Sequence, residues 1–169
     1  MTTQNEKADV FRKLHVKGEP LILFNIWDAG SAAAVADSGA KAIATGSWSV
    51  AAADGFTDGE NLSLDAALLN LERITASVDL PVTIDFEGGY TTDNSELSTN
   101  IERVINAGAI GINFEDQIVG SDGLYSIGEQ AERIAVVRKT ADNAGVPLFI
   151  NARTDIFLKN LATYDETHV

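Results

Sequence analysis

Cysteine is absent from this 169-residue chain and histidine occurs only twice. Without cysteine there is no disulfide framework, no thiolate zinc site and no cysteine nucleophile. No apolar run approaches the ~20 residues of a membrane helix. The polar opening from Met1 to Asp9 lacks the hydrophobic stretch of a signal peptide. Basic side chains are scarce, 12 against 25 acidic ones, for a formal charge of −13 and a pI near 4.3. A surface of that sign repels phosphate backbones and anionic lipids, so neither nucleic acid nor a membrane is an expected partner. What is present is ordinary for a folded protein: 45% hydrophobic and 22% charged residues, which excludes wholesale disorder. The length suits one domain with a real core, and residues 1–169 read as a single soluble, cytoplasmic unit.

Short apolar runs alternate with helical patterns along the chain. The runs 21–25, 42–45, 82–85, 110–113 and 148–151 read as strands. Helices are expected over 31–38, 64–78, 95–107 and 127–144, with Ser63 as an N-cap and Gly39, Gly108 and Gly145 as stops. Leu64, Leu68, Leu71 and Ile74 keep the three- and four-residue spacing of a buried helix face. Residues 46–60 read as a loop with a short Ala-rich turn, and His15 is placed on a leading helix. Strands alternating with helices imply right-handed βαβ units and a parallel sheet. Length favours a five-stranded, flavodoxin-like open sheet. The same pattern also fits the first five units of a (β/α)8 barrel, which takes ~250 residues when complete.

Polar residues cluster where the strands end. The third ends Thr83-Ile84-Asp85-Phe86-Glu87, the fourth Ile112-Asn113-Phe114-Glu115-Asp116, and the fifth Ile150-Asn151-Ala152-Arg153-Thr154-Asp155. Side chains two apart on an extended segment share a face, which pairs Asp85 with Glu87, Asn113 with Glu115, and Asn151 with Arg153. Parallel α/β folds carry their sites at the carboxyl ends of strands, so three acids and an arginine converge on one rim. Clustered carboxylates repel unless a cation neutralises them, and oxygen-only donors suit Mg²⁺ or Mn²⁺. Arg153 offers a planar fork for a carboxylate or phosphonate. Asp28 reads as a helix N-cap, and Asp116, Asp122 and Asp155 as acids that cap helices or solvate loops. The turn Thr45-Gly46-Ser47 is either an anion nest or an ordinary turn. Asp58 lies in a turn composition, Trp27 and Trp48 read as core or rim packing, and neither His15 nor His168 reads as catalytic. Dinucleotide and P-loop fingerprints are absent.

At these residues the sequence resembles the isocitrate lyase/phosphoenolpyruvate mutase family (the PEP phosphonomutases), in its smaller bacterial branch. Five stretches carry the resemblance in family order: Asn25-Ile-Trp-Asp-Ala29, Ala42-Ile-Ala-Thr-Gly46, Asp85-Phe-Glu-Gly-Gly-Tyr90, Asn113-Phe-Glu-Asp116 and Asn151-Ala-Arg-Thr-Asp155. The resemblance implies a (β/α)8 TIM barrel, of which five units are present. It implies an Mg²⁺ site in which Asp85 binds the ion, with Glu87 and Glu115 acting directly or through water and Asp58 beside the metal as a catalytic residue. Thr45, Gly46, Ser47 and Arg153 would then hold a small anionic 2-oxo or 2-hydroxy acid or phosphonate. Homo-oligomers are expected.

Two departures matter. The loop after the fourth strand, Asp116-Gln-Ile-Val-Gly-Ser-Asp-Gly-Leu-Tyr125, lacks the cysteine, histidine and lysine of the family's lyases. The chain also ends soon after the fifth strand, with residues 165–169 resembling the start of a further helix, as in a truncated protein or part of a longer one. The expected activity is an Mg²⁺-dependent lyase reaction that breaks a C–C or P–C bond through an enolate, with Tyr90 or a metal-bound water as the proton carrier. The alternatives are an inactive family member and a flavodoxin-like binding module.

Overall fold

The structure, a computed structural model, describes residues 2–158. Five strands, β1 (Asn25–Ile26), β2 (Ile43–Thr45), β3 (Val82–Asp85), β4 (Gly111–Glu115) and β5 (Phe149–Arg153), form one sheet in unbroken chain order. Every neighbouring pair is parallel. A flavodoxin-like sheet would place its first strand between the second and third, so the open-sheet alternative is excluded. The order is that of a singly wound barrel wall.

Between the strands run α2 (Ala29–Asp37), α3 (Ser47–Ala53), α4 (Leu64–Ser77), α5 (Asn94–Asn106) and α6 (Ile127–Asn143), with α1 (Gln4–Lys13) leading the chain. Local chemistry starts most of them. Ser63 caps α4, Asp93 caps α5, and Asp28 with Ser31 and Ser126 with Glu129 close reciprocal capping boxes on α2 and α6. The main core packs Val82, Ile84 and Phe86, with Ile112 and Phe114, against Leu71 and Ile74 of α4 and Leu97, Ile101 and Val104 of α5. Alternation then sends Asp85, Asn113, Glu115, Asn151 and Arg153 to the opposite face of the sheet. A second cluster joins Ala8 and Phe11 of α1 to Ala42 and Ile110, at the amino-terminal ends of β2 and β4.

Four expectations need correction. Residues 46–60 are not all loop, because 47–53 form α3. The first strand is only Asn25–Ile26: Leu21 and Leu23 pack towards α1 while Ile22 and Phe24 are 74% and 64% exposed. An apolar run signals an extended segment, but only Asn25 and Ile26 pair, with Ala44 and Thr45 of β2. His15 lies beyond the end of α1, stacked on Phe149 at 4.4 Å between ring centroids. β4 and β5 also extend two residues further than expected, so that Glu115 and Arg153 belong to the ladder. The expectations for His168 and for a helix starting at 165–169 lie outside the described residues. No helix among the described residues is long and apolar enough to cross a membrane.

Candidate active site

Asp85 closes β3 and organises the carboxyl end of the sheet. Its backbone N–H donates to the Thr45 hydroxyl at 2.9 Å. Its Oδ2 accepts from the Ser47 N–H at 3.2 Å and the Ser47 hydroxyl at 3.0 Å. The Thr45–Ser47 turn therefore does hold an anion, the chain's own Asp85. That carboxylate stands in for the side-chain cap that Gly46 cannot give α3. Position 46 is tight: a Cβ there would lie 3.0 Å from Asn25 Nδ2 and 3.2 Å from Ser49 Oγ, so those side chains would have to give by a few tenths of an ångström.

Thr45, Ser47, Asp85, Glu87 and Tyr90 line one pocket beside α4. Glu87 is 7% exposed. Its Oε2 accepts from the Glu60 N–H at 2.9 Å, and the Tyr90 hydroxyl lies 3.5 Å from its Oε1. Burial pushes the Glu87 carboxyl up to about 7; the Glu60 N–H opposes this, and the charges of Asp58, Glu60 and Asp85 add to it. Burial also raises the Tyr90 phenol, reinforced by Glu87 and the other acids, so it stays protonated. It can donate a proton and is no base. Asp58 is exposed on the loop between α3 and α4, within electrostatic reach of Glu87.

Arg153 is not an open fork. Its Nη1 lies 3.7 Å from Asp85 Oδ1, its Nη2 pairs with Glu115, and its Nε donates to Asp155 Oδ1 at 2.8 Å. Asp116 accepts from the Asp155 N–H at 2.9 Å and the Thr154 hydroxyl at 2.6 Å. Asp116 and Asp155 are thus not helix caps; they brace the end of β5 because their nearest donors belong to that strand and its loop. Asp28 does cap α2, Asp122 is exposed, and Trp27 and Trp48 are exposed as well, so neither ring is core.

The donor set accommodates a hard cation in part. Asp85 lines the same pocket as Glu87, and its Oδ1 is buried and takes no hydrogen bond; one or two carboxylates completed by water suit Mg²⁺. The three-acid set is not assembled, because Glu115 is turned to Arg153. Among the described residues no three acidic or histidine side chains are close enough to share an ion. Sequence reasoning missed Glu60, whose Oε1 accepts from the Tyr90 N–H at 2.8 Å; a glutamate in a glycine-rich turn carries no local sign of that contact.

A parallel sheet in strict chain order, with acids and an arginine at its carboxyl ends, defines a chain of the (β/α)8-barrel class. Residues 11–168 match the phosphoenolpyruvate phosphomutase family model, and the chain belongs to the isocitrate lyase/phosphoenolpyruvate mutase family. It is 51% identical to a candidate phosphonomutase from Burkholderia cenocepacia J2315, whose crystal structure superposes with a TM-score of 0.92 over 97% of this chain and 65% of that one. It is 30% identical to the 2-methylisocitrate lyase of Escherichia coli (strain K12) over 151 residues, 86% of this chain and 51% of that enzyme. A phosphonopyruvate hydrolase solved with oxalate and Mg²⁺ shares the fold at 20% identity, with a TM-score of 0.84 over 92% of this chain and 55% of that one. The chain spans about half the length of such curated relatives. The named relatives are lyases, mutases and hydrolases of small organic acids or phosphonates.

Proposed function

We propose that this chain carries the site of an Mg²⁺-dependent (or Mn²⁺-dependent) lyase-type enzyme that breaks a C–C or P–C bond in a small 2-oxo or 2-hydroxy carboxylate or phosphonate through an enolate. The observation that carries the reading is Asp85, which lines the same pocket as Glu87 and whose Oδ1 is buried without a hydrogen bond, 3.7 Å from Arg153 Nη1. The binding of oxalate and Mg²⁺ by the phosphonopyruvate hydrolase supports it. Asp85 and Glu87 would hold the cation, with Glu115 acting through Arg153. When bound, the cation supplies positive charge at the oxygen where the enolate develops. Thr45 and Ser47 fix the Asp85 carboxylate through their hydroxyls and the Ser47 N–H. Gly46 lets that turn approach Asn25. Arg153 would orient the substrate's anionic group once drawn from its acidic partners, and Asp58, exposed and within electrostatic reach of Glu87, would act beside the metal. Tyr90, held protonated, can donate at its hydroxyl. Homo-oligomers belong to the same reading, with the exposed Ile22 and Phe24 beside β1 as the surface to cover.

Incubation with Mg²⁺ and either oxaloacetate or phosphonopyruvate tests the proposal. It requires a carboxylic acid product that EDTA prevents. The second reading, an inactive family member, is favoured by the 116–125 loop without cysteine, histidine or lysine. Retained Mg²⁺ and oxalate binding with no product would select it.

A further inference from the structure

Among the described residues three non-glycines have left-handed backbones, Glu60 (φ 57°), Glu87 (φ 49°) and Tyr90 (φ 61°), and all three bond to one another. The Glu60 N–H donates to Glu87 Oε2 at 2.9 Å, the Tyr90 N–H donates to Glu60 Oε1 at 2.8 Å, and the Tyr90 hydroxyl lies 3.5 Å from Glu87 Oε1. Such a backbone is unfavourable for an L-residue, so three persist together only where tertiary contacts enforce them. The turn 87–91 is gripped from both poles. Its Gly88 and Tyr90 N–H groups face the Glu60 carboxylate. Its Gly88 and Thr91 carbonyls accept from Nη2 of the buried Arg133 at 2.6 and 2.9 Å. Donors meet an anion and acceptors meet a cation, which is a specific arrangement and not a generic acidic patch.

We propose that Glu60 is a positioning residue. Its N–H aims the Glu87 carboxylate, its side chain fixes the turn from which Glu87 projects, and Arg133 is the opposing anchor. Because Asp58 lies two residues before Glu60, the same contact sets where Asp58 stands relative to Glu87. The geometry stands on the hydrogen bonds alone; its consequence for metal binding rests on the function proposed above.

Three variants of the full chain test it. Glu60→Gln keeps an acceptor for both turn amides. Glu60→Ala removes it, and Glu60→Gly removes it while relieving the left-handed backbone. In EDTA, hydrogen–deuterium exchange of residues 87–91 should rise about tenfold in the alanine and glycine variants, the scale of one lost charged hydrogen bond, and stay near wild type in Glu60→Gln. In calorimetry Mg²⁺ affinity should fall by a similar factor in the first two and recover in the third. Unchanged exchange of 87–91 in Glu60→Gly overturns the proposal, and so does unchanged Mg²⁺ affinity where exchange has risen. If the wild-type chain binds no Mg²⁺, the proposed function fails, and the exchange comparison still decides whether Glu60 holds Glu87.

Discussion

Arg153 and Glu115 stand in register on neighbouring parallel strands, and their side chains meet as an ion pair. The same guanidinium binds Asp155 through Nε and Nη2, and its Nη1 lies 3.7 Å from Asp85 Oδ1. One cation therefore answers three carboxylates, two of them almost wholly buried. A buried carboxylate without a partner is costly, and so is a cation that leaves several acids behind. Under the function proposed above, substrate capture by Arg153 would be an exchange of partners, with an incoming anion competing with Glu115 and Asp155.

Arg153→Ala should destabilise the fold, because Asp155 and Glu115, at 1% and 5% exposure, lose their cation. Breaking a buried pair costs about 3–5 kcal/mol, and the partial exposure of Arg153 moves the expectation to roughly 2–3. Arg153→Lys keeps the charge but not the planar fork that Asp155 uses, so its urea midpoint should fall between those of alanine and wild type. It should also weaken oxalate binding. A lysine variant equal to wild type on both counts would mean that the fork contributes nothing.

Asp85 should be indispensable for Mg²⁺. Asp85→Asn retains an oxygen for Ser47 and so keeps the start of α3, yet removes the charge; calorimetry should detect no Mg²⁺ binding. Asp122→Ala, on an exposed loop, should bind as wild type does, and Glu115→Gln should weaken binding only mildly because its carboxylate faces Arg153. Equal losses from the Asp85 and Asp122 changes would refute the assignment.

The parts legible in the sequence were those specified locally. Ser63 and Ser126 each announce a helix by a side chain that caps its own first turn, and β3 falls within its expected bounds, 82–85. Alternation put Asp85, Glu115 and Arg153 on one face. What stayed hidden depends on residues far apart. The cap of α3 comes from Asp85, 38 positions away, so 46–60 read as loop. Glu60 reaches Glu87 across 27 positions. Strand order and the register opposing Glu115 to Arg153 are properties of the assembled sheet, and without them Arg153 read as an open fork.

Metal-free stability should depend on pH through Glu87. Its carboxyl is raised from the ordinary 4.5 to about 7, so the folded chain binds this proton more tightly than the unfolded chain does. The contribution is full below the ordinary carboxylate value and is lost as pH rises through about 7. By linkage the loss is on the order of 2–3 kcal/mol. In EDTA the melting temperature should therefore fall between pH 5 and pH 8, and Glu87→Gln, neutral throughout, should flatten that slope. A variant with an unaltered slope would place the titrating group elsewhere.

Gly89 should be the least replaceable glycine in the site. Its φ is +93°, and a Cβ there would lie 2.7 Å from Leu97 Cδ1 and 3.1 Å from Phe114 Cε2. Both neighbours are fully buried in the main core, so neither can swing away. Gly145 has φ +70° with nothing within 4 Å of the added carbon, so Gly145→Ala isolates the backbone cost of about 1–2 kcal/mol. Gly89→Ala adds overpacking of roughly 1–3 kcal/mol and displaces the turn that carries Glu87. Urea titrations should therefore separate the two variants, and Mg²⁺ affinity should fall only in Gly89→Ala. Equal urea midpoints would show that Leu97 and Phe114 yield without cost, and the rigidity ascribed to the turn would then have to come from Glu60 and Arg133 alone.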